Sequence, residues 1–177
     1  MDSRSPFGIT RKNYHLQPGE VFVTAEDMVI TTVLGSCVAV CLYDRVRHIA
    51  GINHVMLPRM AAGQEPSTRF GNVASFVLMD MMRERNCRPA NLDVHVFGGA
   101  NGLGRFSDDA ESSTMQVGKK NLEVTLKVLQ KLRLDIIGQD VGGATGRRIQ
   151  FDCKTGEIRM DMLRRFDFQE ELSTAVI

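Results

Sequence analysis

The sequence predicts an α/β protein: a single compact domain of antiparallel-rich sheet with flanking helices, sandwich-like in section. Three observations carry this. Short β-branched and aromatic runs recur along the chain, most of them joined by turn-forming residues and not by long crossovers. Two segments, Asn72–Arg85 and Asn121–Leu132, carry apolar residues at helical spacing. One run, Val38–Tyr43, is apolar at every position, which calls for cover on both faces of the sheet that holds it.

Composition sets the bounds. The 177 residues show no compositional break, so one domain is expected over 19–162, after a flexible arm at 1–18 and before a tail at 163–177. A hydrophobic share of 43% with 24% charged residues is ordinary globular usage. The net charge of +1 gives no bulk attraction to nucleic acid or membrane. No apolar run approaches the roughly 20 residues of a membrane span, and residues 1–18 lack the apolar core of a secretory signal. The four cysteines, at 37, 41, 87 and 153, form no C-x-x-C pair and read as reduced thiols of a cytoplasmic protein. Cys37 and Cys41 with His48 or His54 lack the paired spacing of a zinc site, so no metal is expected. Gly98–Gly104 matches neither phosphate-binding glycine pattern, so no nucleotide cofactor is expected. Its glycines are read as letting backbone approach a substrate.

In chain order, Val21–Val23 and Met28–Val33 read as a short hairpin across Ala25-Glu26-Asp27. Gly35-Ser36-Cys37 is a small-residue turn into the Val38–Tyr43 strand. Asp44–Arg47 turns the chain into a second strand, His48–Met56, ended by Pro58. Arg59–Phe70 is a loop. The first helix follows, with Ala74, Val77, Leu78, Met81 and Met82 on one face. Leu92–Phe97 is a strand in which His95 reads as an ordinary strand histidine. Ser107–Gln116 reads as an exposed loop. Asn121 stands where the N-cap of the second helix belongs. Asp135–Val141 is a strand, Gly142–Gly146 a turn, and Arg148–Cys153 with Glu157–Met162 a hairpin across Lys154-Thr155-Gly156. Arg147 and Arg148 read as solvated turn residues. That makes seven or eight strands and two helices.

One constellation carries chemistry. Cys37 and His54 are equidistant from a turn centred between Arg45 and Val46, so any even-length loop about that centre sets them directly opposite each other on one face. A slipped register would break this facing. A thiol and an imidazole at that separation can share a proton. Cys37 sits at the mouth of a strand, where backbone N–H groups are free. Cys41 lies mid-strand and reads as inert core. Gly35, Ser36 and Asn53 are the candidates for oxyanion and substrate-loop contacts.

LGSCVAV followed by NHVMLP resembles the CheD proteins, the chemoreceptor glutamine deamidases of bacterial chemotaxis. The resemblance recurs in VFGGAN (Val96–Asn101), GKKN (Gly118–Asn121) and QDVGGATGRRIQFDCKTGEI (Gln139–Ile158), and spans roughly Gly19 to Met160. It implies a compact α/β sandwich related to toxin-type deamidases. It also implies Cys37 as nucleophile, His54 as its base, and a threonine six residues before the cysteine, Thr31, as third member orienting the imidazole. Before the later asparagine the family has an arginine where this chain has Lys120. The implied substrates are glutamines on the cytoplasmic helices of methyl-accepting chemoreceptors, and a CheC-type phosphatase is an implied partner. An adaptor without catalysis is the alternative, and a cysteine amidase, protease or methyl esterase would use the same dyad. Within the dyad, His54 either takes the thiol proton during attack or holds an ion pair that lowers the thiol pKa.

Overall fold

The computed structural model describes residues 11–101 and 117–163. Along them run β1 (Lys12–His15), β2 (Val21–Thr24), β3 (Met28–Leu34), β4 (Val38–Asp44), β5 (Ile49–Val55), α1 (Gly71–Glu84), β6 (Leu92–Gly98), α2 (Val117–Lys131), β7 (Ile136–Val141), β8 (Arg147–Asp152) and β9 (Ile158–Met162). These strands, nine among the described residues, form a four-stranded sheet in the order β1-β3-β8-β9 and a five-stranded sheet in the order β2-β5-β4-β6-β7. Only β1–β3 and β6–β7 pair in parallel; the other pairs are antiparallel.

Strand β4 shows why there are three layers. All seven of its residues are buried. Ala39, Cys41 and Tyr43 pack with Ile30, Leu34, Ile149 and Phe151 of the four-stranded sheet. Val38, Val40 and Leu42 face Leu78, Met79 and Met82 of α1 and Val128 and Leu129 of α2. The five-stranded sheet is thus covered twice, by the helices and by the second sheet. Strand β3, in the sheet with one free face, alternates instead: Met28, Ile30, Thr32 and Leu34 are buried inward, and Val29, Thr31 and Val33 are not.

Several expectations are corrected. Residues 11–18 are not a loose arm. Strand β1 pairs with β3, Leu16 is fully buried, and Arg11 binds both carboxylate oxygens of Asp152 at 2.6 and 2.8 Å. A four-residue edge strand reading KNYH carries no alternation to betray it. β2 and β3 do not form a hairpin, because they belong to different sheets. Helix α2 starts at Val117, so Asn121 is not its cap. In its first described turn, Asn101 Oδ1 accepts the Lys119 N–H at 3.0 Å. The expected loop at Ser107–Gln116, the glycines at 102 and 104, and residues 1–10 and 164–177 lie outside the described residues.

Candidate active site

The chain leaves the four-stranded sheet at Leu34 and enters the five-stranded one at Val38, and Gly35-Ser36-Cys37 is the step between them. All three carbonyls of this step are held, each from a different place. The Ala100 N–H donates to Gly35 O at 2.9 Å, Asn121 Nδ2 to Ser36 O at 2.9 Å, and the Gly99 N–H to Cys37 O at 2.7 Å. Among the described residues, no hydrogen bond takes up the N–H of Ser36 or Cys37. Anchored carbonyls with free amides are what an oxyanion site requires. Gly98, at φ +106, is needed here for closeness: a Cβ on it would overlap the Cys37 carbonyl.

His54 stands on the inter-sheet face of β5, 2% exposed. Its Nδ1 lies 2.8 Å from Thr32 Oγ1, and Thr32 Oγ1 lies 2.9 Å from the Leu16 carbonyl. The carbonyl can only accept, so the single hydroxyl proton of Thr32 goes to Leu16 and Nδ1–H must donate to Thr32. Nε2 is therefore the unprotonated nitrogen. It is buried and, among the described residues, has no hydrogen-bond partner. A buried lone pair left unpaired is a position at which a proton can be taken up.

The register differs from the expected one. Val38 pairs with Val55 and Ala39 with His54, because the Arg45–His48 loop is centred one residue later than expected. The shift keeps an even count, so Cys37 and His54 stay on one face, but as diagonal and not direct neighbours. Cys37 is half-buried against the inter-sheet core. Burial acts on both groups in the direction of neutrality. It pushes the Cys37 thiol up to about 11, and burial, with repulsion from His15 second, pushes His54 down to about 4. At rest both groups are therefore neutral, a thiol and an imidazole on one face and not an ion pair.

The remaining candidates separate cleanly. Thr31, the expected third member, lies on the other face of β3, between His15 of β1 and Gln150 of β8; Thr32 does the orienting. Asn53 is not at the substrate loop. It is fully buried on the helix side, where Oδ1 accepts the Val40 N–H at 2.9 Å and Nδ2 donates to Ser75 Oγ at 3.2 Å. Arg147 is buried, not solvated. It donates to Gly98 O at 3.0 Å and Gly142 O at 2.9 Å and pairs with Asp140 at 2.7 Å, fixing the loop behind Cys37. Cys41 is core, its thiol pushed up by burial. His95 stacks parallel to Phe97 over Gly138. Sequence reasoning missed Thr32 and Leu16, although strand alternation counted inward from Leu34 points to Thr32.

A family described as CheD chemotactic sensory transduction matches residues 56–162, more than half of the chain. A protein named probable chemoreceptor glutamine deamidase CheD 1, from Anaeromyxobacter dehalogenans, is 39% identical over 152 residues, covering 86% of this chain and 85% of its own. The chain belongs to the CheD family. A CheD protein of the same probable assignment from Sulfurimonas denitrificans is 33% identical over 154 residues, covering 87% of this chain and 96% of its own. Among solved structures, the Bacillus licheniformis hypothetical protein YfiH is 17% identical with a TM-score of 0.45, covering 70% of this chain and 51% of its own. The family match begins at Met56, just past His54. No helix among the described residues is long and apolar enough to cross a membrane.

Proposed function

We propose that this CheD chain is a protein-glutamine deamidase acting by thiol catalysis on chemoreceptors. The observation that carries the chemistry is the orphaned, buried Nε2 of His54 on the same face as Cys37, with its tautomer set by Thr32. As Cys37 Sγ attacks the side-chain carbonyl carbon of a glutamine, Nε2 takes the thiol proton. The negative charge gathers on the carboxamide oxygen, where the Ser36 and Cys37 N–H groups are free to receive it. When the C–N bond breaks, His54 returns the proton and ammonia leaves, giving a thioester. Water activated by the same nitrogen then releases the thiol and leaves glutamate. The relatives' names supply the substrate class, glutamines of chemoreceptors. Each conversion adds a carboxylate to a receptor helix, which is the charge change through which adaptation would be tuned in the cytoplasm.

The test is mass spectrometry of a chemoreceptor cytoplasmic fragment after incubation with wild type, Cys37→Ala and His54→Ala. Gln-to-Glu conversion by wild type, and by neither variant, is expected. Conversion by Cys37→Ala would remove the thiol from the mechanism. No conversion by wild type would sink the deamidase reading.

A further inference from the structure

The β4–β5 ladder stops at Val38–Val55, one residue short of Cys37 and one past His54. Beyond it the two segments part. The Met56 N–H turns to Arg69 O at 2.9 Å, and the Cys37 carbonyl turns to Gly99. The thiol thus sits where no ladder bond fixes it relative to the imidazole. One side chain spans the gap. Asn121, fully buried on α2, gives both hydrogens of its amide away, one to Ser36 O and one to Met56 O, each at 2.9 Å. Ser36 is next to the thiol, and Met56 is two residues from the imidazole.

Resting on the deamidase reading for its kinetic arm, we propose that Asn121 is a positioning residue that sets the spacing between Cys37 and His54 by holding Ser36 O and Met56 O to one nitrogen. A primary amide supplies the two donors this needs on one nitrogen without burying a charge. The amide must turn its NH₂ toward the carbonyls, which explains why its Oδ1 is buried without a partner among the described residues. The helix is seated to deliver it. At Gly118 a Cβ would stand 2.5 Å from Ala100 O and 2.7 Å from Gly99 O, so only glycine lets this turn of α2 press onto the loop behind Cys37. The GKKN stretch thereby gains a physical reading: glycine for the approach, asparagine for the bridge.

Two measurements test this. In steady-state kinetics on the receptor fragment, Asn121→Ala and Asn121→Ser should each lose about 10²-fold in kcat while KM holds. Leu129→Ala, a core change on the same helix, should lower thermal stability comparably and keep kcat. Equal kcat losses in Asn121→Ala and Leu129→Ala would reduce Asn121 to a packing residue. The second measurement needs no glutamine substrate. His54→Ala should slow alkylation of Cys37 by iodoacetamide at pH 7 by about ten-fold when Asn121 is present, and by less than about two-fold in the Asn121→Ser background. An undiminished His54 effect in that background would overturn the proposal, whether or not the wild type deamidates. Absence of any conversion by wild type, with the alkylation coupling intact, would sink the deamidase reading alone.

Discussion

Thr32 Oγ1 lies 2.8 Å from His54 Nδ1 and hands its own proton to the Leu16 carbonyl. A strand of one sheet thereby fixes the tautomer of a histidine in the other. Thr32→Val keeps the shape and removes the hydroxyl, leaving Nδ1–H and Leu16 O unpaired. The expected result is a kcat loss of about 10²-fold with a stability loss of about 1–3 kcal/mol. Thr32→Ser should restore most of both, and Thr31→Val, on the opposite face, should change kcat little. Kinetics and urea unfolding of the three variants decide it, and a Thr31→Val enzyme as damaged as Thr32→Val would refute the assignment.

Acid should act on stability through His54. The folded chain keeps this imidazole neutral down to about pH 4, against an ordinary value of 6.5. Between those values the unfolded chain binds a proton that the folded chain does not. Stability therefore falls as pH drops from 6.5 toward 4, by roughly 3 kcal/mol from this group. Cys37 contributes at the other end, losing stability as pH rises from 9 toward 11. Urea titrations from pH 4.5 to 7 should show the acid slope in wild type and its loss in His54→Gln. A flat wild-type profile there would contradict the burial argument.

The same two values shape activity. In the proposed mechanism the Cys37–His54 pair carries one transferable proton between about pH 4 and 11, on sulfur at rest and on nitrogen during attack. kcat/KM should be level from pH 5 to 9 and fall toward 4, with no break near 6.5. An inflection near 6.5 would mean that the imidazole is solvated in the working enzyme.

What the sequence made legible follows from how local each signal is. The all-apolar β4 announced a doubly covered sheet because burial on both faces leaves no polar alternative. Cys37 and His54 shared a face because period-two alternation survives any even register shift. Their diagonal offset was not legible, since it depends on a loop centre that Asp44 sets by accepting the Val46 and Arg47 N–H groups at 2.9 Å each. Thr31 was preferred to Thr32 on resemblance, whereas the alternation of β3 puts Thr32 inside. Asn121 looked like a cap because its partners are carbonyls remote in the chain, which carry no residue identity, and Arg147 looked solvated in part because one of its partners is likewise a remote carbonyl, that of Gly98.

Asn53 tests the helix side of β5. Its amide spans Val40 N–H and Ser75 Oγ, away from the dyad. Asn53→Ala should cost about 1–3 kcal/mol of stability by stranding a buried N–H, with kcat of the folded enzyme unchanged. A kcat loss beyond the loss of folded protein would return Asn53 to the site.

Gly98 and Gly142 separate backbone strain from pressure on the nucleophile. Both have positive φ, +106 and +74, so alanine at either is strained by about 1–3 kcal/mol. Their surroundings differ. A methyl group at Gly98 meets the Cys37 carbonyl, and one at Gly142 meets nothing within 4 Å among the described residues. Gly98→Ala must therefore push Cys37 away from the Gly99 N–H that holds it at 2.7 Å, tilting the Ser36 and Cys37 amides proposed to receive the oxyanion. Gly142→Ala should lower stability and spare kcat; Gly98→Ala should lower both, kcat by about 10²-fold. The comparison is read from kcat on the receptor fragment and from urea midpoints. If the two variants lose kcat equally, the close contact behind Cys37 has no part in holding the thiol.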